Sequence, residues 1–201
     1  MRRHHRPVPL DPQAIRAGSS DLDPAEVTEA AHRTAAAVVG RGRAGSDPEL
    51  TARLVDLVRQ VGLPTVAEMW ADRPARSLPG ALWRLYLLHE WVQRQPEVVA
   101  RAFSAGAAHT EVNRVVAGLA EPPDPEGLRA LTTSILTGVF DGDLAIALER
   151  ASAFCHVVAV GLADPAAEDV PAETVRRAGR MQETATDLAA GARMWRRGDL
   201  L

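Results

Sequence analysis

Apolar residues along this chain recur at intervals of three and four, and the runs they form are bounded by helix start and stop signals. Leu50, Leu54, Leu57, Val58 and Val61 repeat at helical spacing and end at Gly62. Asp23-Pro24, Asp47-Pro48 and Asp124-Pro125 each set a capping carboxylate before a proline at the first helical position, with an acid in the turn that follows. From such signals the pattern predicts eight or nine helices. They span about 24–39, 48–61, a short one from Pro64 carrying Val66, Met69 and Trp70, then 78–94, 96–106, 110–119, 125–139, 144–161 and 171–197. Ser77 caps the fourth of these and Asp143 the eighth. The spacings between the Asp-Pro starts share no period, so no repeat architecture is implied.

Alternating strand patterns are absent, and the expected fold is all-α: an irregular bundle packed around one central apolar helix, about 78–94. In the stretch Ala81 to Val92 nine of twelve residues are apolar. A helix apolar nearly all round belongs inside a bundle, so Trp83 is expected to be deeply buried there. The expected organisation is an extended basic arm over 1–20, a helical bundle over 21–162, a proline-containing linker over 163–170, and an amphipathic helix over 171–201. That last helix packs either on the bundle or on a partner.

Composition adjusts this picture in two ways. Thirty-six of the 201 residues are alanine and only eight are aromatic, so close contacts through small side chains must supply much of the core. All 23 basic residues are arginine, set against 26 acids for a net charge of −3. That near-neutral total hides a division: residues 111–169 carry three arginines and ten acids, net −7, while the remainder of the chain is net +4. The balance argues against a basic nucleic-acid protein, and the single cysteine, Cys155, forms no internal disulfide. The longest apolar run, near 81–92, is short of the ~20 residues that span a bilayer. A cytoplasmic setting with no membrane partner is the expectation.

Candidate chemistry is sparse. Arg84, His89 and Glu90 sit on the central helix in different directions and define a possible polar pocket. Glu29 and His32 match half of a di-iron helix motif whose other half is missing, and no zinc-type ligand pairs occur, so no metal and no cofactor are expected. Glu149, Ser152 and His156 share one stripe, but no nucleophile elbow accompanies them, and no catalytic residue is assigned. The run Gly40 to Gly45 follows a helix rather than a strand and lacks the lysine of a phosphate loop. A helix-turn-helix over Leu54–Trp70 would present Glu68 and Asp72, a poor face for DNA. Possible partner-binding residues are Arg2, Arg3 and Arg6 in the arm, Arg41 and Arg43 in the glycine-rich loop, and Arg177, Arg180 and Trp195 on the last helix.

The segments HHRPVPLDP, SLPGALWRLYLLHEWV and GDLAIALERASAFCHVV resemble a family of small uncharacterised all-helical actinobacterial proteins. Sequences of that kind are sometimes labelled RNA polymerase β subunit, which a 201-residue all-helical pattern does not match. The resemblance implies a bacterial cytoplasmic setting and transfers no functional residue. The function expected from the residues is a non-enzymatic helical interaction or regulatory module. It would act on a protein partner, with the transcription machinery a candidate, or on a second copy of itself. A small-molecule binder or enzyme with a pocket at Arg84, His89 and Glu90 is the alternative, and weak nucleic-acid association through the arginine-rich termini is a third.

Overall fold

The computed structural model describes residues 24–39, 62–118, 124–140, 143–163 and 170–201. Among them lie eight helices and no strand. They are α1 (Pro24–Val39), α2 (Leu63–Glu68), α3 (Leu78–Arg94), α4 (Pro96–Ala107), α5 (Glu111–Ala117), α6 (Pro125–Phe140), α7 (Leu144–Leu162) and α8 (Ala172–Arg197). The expected helix over 48–61, the first half of the helix-turn-helix candidate, and the Gly40–Gly45 loop lie outside the described residues. So do the arm and Arg2, Arg3, Arg6, Arg41 and Arg43.

The local signals act where the sequence puts them. The Ser77 hydroxyl accepts from Gly80 N–H at 3.2 Å and the Asp143 carboxylate from Ile146 N–H at 3.1 Å. Asp124 accepts from Gly127 N–H at 2.7 Å at the start of α6. Each side chain satisfies an amide that the helix itself leaves without a partner. At the other end of the chain Gly198 adopts a left-handed φ of 80° and closes α8, with Asp199 N–H bonded to Met194 O at 2.9 Å. The chain then turns back. Leu200 is buried, and Leu201 O accepts from Leu78 N–H at 2.9 Å, so the C-terminal tail is tied to the first turn of α3.

All eight helices contribute to one apolar core. The helix α3 touches α1, α2, α4, α6, α7 and α8, as expected of a central element. A second helix is buried more deeply. In α7 eleven of nineteen residues are buried, and it is flanked by α3, α4, α5, α6 and α8. It is also the one described helix long and apolar enough to cross a membrane, and 61% of that span is enclosed by the protein. The apolar stretch near 81–92 is therefore not the longest: in α7 only Glu149, Arg150, Ser152 and His156 interrupt the apolar and small residues. Its Cys155 is fully buried, and burial pushes the thiol up to about 12, leaving it protonated and unreactive.

The tryptophan at the bottom of the core is Trp70, only 1% exposed, rather than Trp83. Trp83 is half-buried and stacks on Tyr86 with ring centroids 5.7 Å apart. Trp70 lies just beyond α2, and its indole N–H donates to Thr34 Oγ1 at 3.1 Å, linking this turn to α1. Thr34 in turn donates to the Ala30 carbonyl at 2.9 Å. Arg73 also reaches α1, donating to Thr28 Oγ1. A one-turn helix such as α2 has little cohesion of its own, so these tertiary contacts hold it.

Candidate functional site

The stripe Glu149, Ser152 and His156 on α7 meets α8 along its length. Arg196 grips the Glu149 carboxylate through both guanidinium nitrogens, one of them at 2.7 Å. Ser152 donates to Ala185 O at 2.7 Å, and His156 Nδ1 meets Gln182 Oε1 at 2.8 Å. Serine and histidine each turn to α8, so the stripe is an interhelical seam that docks the last helix on the bundle. The apolar part of the same seam is built from small residues, Ala178, Ala185, Ala190, Gly191 and Ala192, which let α8 approach closely around Leu188. Glu149's carboxyl is held below its ordinary range chiefly by the Arg196 hydrogen bond.

Docking α8 creates a groove against α3. Its floor is Leu87, Leu88 and Trp91 from α3 and Met181 from α8, and Thr184 completes one wall. Three arginines rim it: Arg84 from α3, and Arg177 and Arg180 from α8. The cavity measures about 340 Å³, within the lower range of small-molecule sites. Leu87 is 45% exposed, an apolar side chain facing water where the floor opens. Arg177 stacks over the Trp91 ring at 4.5 Å from its centroid, a cation–π contact that holds the guanidinium at the groove.

The charges around the groove are partly matched. Arg84 donates to Gly80 O at 2.9 Å and stands 4.0 Å from Asp187, which Arg76 also meets at 3.2 Å. Glu173 accepts from Arg180 at 2.9 Å and from Arg176 at 2.7 Å, and these bonds hold its carboxyl below the usual range. Arg176 and Arg180 thus share the Glu173 carboxylate, as Arg76 and Arg84 share that of Asp187.

Of the residues expected to mark a pocket, only Arg84 enters this groove. Glu90 pairs with Arg94 one turn away at 2.8 Å. His89 is half-buried, and its Nδ1 is sealed from water with no hydrogen-bond partner. Burial holds the ring below its ordinary value of 6.5, with neighbouring Glu90 pulling the other way. A lowered folded-state value means that the unfolded chain takes up the proton first. The neutral ring's contribution to stability is therefore complete above about pH 6.5 and declines as the pH falls below it. In His89→Leu the loss of urea resistance on going from pH 7 to pH 5.5 is expected to be smaller than in the wild type. Parallel pH profiles for the two proteins would refute this.

Of the residues expected on the last helix, Arg177 and Arg180 line the groove, whereas Trp195 lies outside it, half-buried against the core. Glu29 lies beside Arg33 at 3.7 Å as an exposed helical pair, and among the described residues no three His, Cys, Asp or Glu side chains converge to hold a metal. A second, open cleft of about 710 Å³ runs along α6 between Gln93 and Arg150. Its arginines are occupied: Arg129 pairs with Glu126 at 3.2 Å, and Arg150 reaches Ser134 Oγ and Ala117 O, each at 3.4 Å. No protein family, curated protein or solved structure matches the chain.

Leu87, Leu88, Trp91 and Met181 were visible in the sequence as apolar positions at helical spacing, but nothing there marked them as a floor. The sequence signal lay on α8, where Arg176, Arg177 and Arg180 immediately precede the stripe of Met181, Thr184 and Leu188.

Proposed function

We propose that this protein is a non-enzymatic helical interaction module of the bacterial cytoplasm, and that its binding face is the α3–α8 groove. The supporting observation is the convergence of Arg84, Arg177 and Arg180 over an apolar floor in which Leu87 is exposed. Guanidinium groups recognise carboxylates through paired hydrogen bonds, and apolar floor atoms gain by leaving water. A partner that offers both carboxylates and apolar side chains satisfies the whole surface. The cytoplasmic setting follows the actinobacterial resemblance and the single reduced cysteine. Transcription-linked regulation is one context in which such a module would act.

Titration of the full chain into a dye-labelled peptide of Glu, Leu and Trp, read by fluorescence anisotropy, tests the reading. Binding is expected, weakening with salt because charge pairs contribute, and falling by at least about tenfold in the Arg84→Ala/Arg177→Ala double variant. A Lys-for-Glu peptide should not bind. Equal binding of acidic and basic peptides, or none by the acidic one, would remove the proposal.

A further inference from the structure

We infer that the α3–α8 groove is also a small-molecule site, for an aliphatic monocarboxylate whose charge is taken by Arg177 and whose alkyl chain lies on Leu87, Leu88 and Met181. This goes beyond the interaction reading above, because the groove holds such a ligand with no partner protein present. It also supplies a means of regulation, since ligand and partner compete for one surface.

The three arginines that line the groove are not equivalent. Arg84 turns back to Gly80 O at 2.9 Å and faces Asp187 at 4.0 Å. Arg180 donates to one oxygen of Glu173 at 2.9 Å, and Arg176 takes the other oxygen at 2.7 Å, so that carboxylate is fully engaged. Among the described residues no hydrogen bond or ion pair engages the Arg177 guanidinium. It is half-buried and lies over the Trp91 ring, 4.5 Å from the centroid. A guanidinium stacked in this way keeps its N–H groups along its edge, where they fit the two oxygens of a carboxylate. The stacking also places the group before a ligand arrives, which lowers the ordering cost of binding. One lining arginine without an anion calls for a ligand of one charge.

The rest of the lining is apolar. Leu87, Leu88 and Met181 form the floor, and Leu87 is 45% exposed. Thr184 spends its hydroxyl proton on Arg180 O at 2.9 Å, so the wall adds no free donor for a second polar group. Arg177 already covers one face of Trp91, which leaves mainly aliphatic and thioether surface. A flexible alkyl chain conforms to such surface without the fixed geometry that ring stacking needs. A cavity of about 340 Å³ lies at the small end of ligand sites and suits a chain of medium length.

The test is calorimetric titration of the full chain with octanoate, butanoate and 1-octanol. Octanoate is expected to bind. Butanoate should bind at least about tenfold more weakly, since each methylene taken out of water strengthens binding by up to about fourfold. Octanol keeps the chain but lacks the charge, and should also be at least about tenfold weaker. Arg177→Met retains an unbranched stem over Trp91 and removes the guanidinium. It should weaken octanoate at least about tenfold and leave octanol unchanged. Arg193→Met, at an exposed α8 position outside the groove, should leave octanoate binding as it is. An unchanged thermal midpoint establishes that each variant is folded. In the anisotropy assay octanoate should displace the Glu, Leu and Trp peptide.

Octanol or butanoate binding as tightly as octanoate, an Arg177→Met variant that binds octanoate normally, or no octanoate binding at millimolar concentration would each overturn the site. The interaction reading would then rest on the peptide alone. Octanoate that binds by these rules yet leaves the peptide in place overturns the competition. If octanoate binds and the peptide does not, the interaction reading fails and the small-molecule site stands.

Discussion

Trp70→Ala is expected to lower stability by about 3–5 kcal/mol, the range for removing a large aromatic side chain from a core that cannot collapse around the void. The indole is fully enclosed, and its N–H donates to Thr34 Oγ1, so the substitution opens a cavity and severs the bond between the turn after α2 and α1. For a chain of this length a loss of that size moves the thermal midpoint down by roughly 10 °C or more. Trp70→Phe separates the two contributions. It keeps much of the volume, loses the hydrogen bond, and should cost only about 1–2 kcal/mol. Urea unfolding followed by circular dichroism measures both, and a Trp70→Ala variant with the wild-type midpoint would show that the site is not the core anchor. The same experiment on Trp83→Ala should give a smaller loss, since that ring is half-buried against Tyr86.

Gly161→Ala is expected to be as damaging, for a different reason. At this point α4 and α7 cross backbone to backbone. A Cβ on Gly161 would overlap the Ala102 carbonyl, and a Cβ on Gly106 would overlap the Val157 carbonyl. Neither obstacle is the end of a flexible side chain, so the helices must separate. Separation also loosens the contact between Phe103 of α4 and Phe154 of α7, whose ring centroids are 5.4 Å apart. Overpacking of this kind costs about 3 kcal/mol or more where the backbone cannot yield. Gly179→Ala is the control. It lies on α8 with nothing within 4 Å of the added methyl, and the change should be neutral or stabilising by up to about 1 kcal/mol. A Gly161→Ala protein as stable as Gly179→Ala would contradict the close crossing.

Both effects pass through positions whose importance the residue pattern understated. Gly106 and Gly161 stand at the last positions of the expected helices 96–106 and 144–161, yet they are contact points where two backbones need the space a side chain would fill. Trp70 stood at the end of a short predicted helix and Trp83 in the middle of a long apolar one, so the pattern favoured Trp83. Which of them is enclosed depends on how α1 folds across the turn after α2, and that packing is non-local. His89, Glu149 and His156 illustrate the same limit. Each was a titratable residue on a helix with apolar neighbours. Only the docking of α8 separates Glu149 and His156, which bond across the seam, from His89, whose Nδ1 is buried without a partner.

The sequence by itself determined the all-helical class and most helix boundaries among the described residues. Those depend on interactions within a few residues: the caps at Ser77, Asp124 and Asp143, the prolines at the first turns, the left-handed Gly198, and apolar spacing of three and four. It also determined that alanine would mediate much of the packing, as it does where Ala178, Ala185 and Ala192 seat α8. Tertiary structure alone decided which helix is most deeply buried and which faces meet. It alone brought Arg84 into one groove with Arg177 and Arg180 from the other end of the chain. Helix formation is a local balance of propensity and capping, whereas a groove exists only after two helices have been fixed at one distance and angle by everything else they touch.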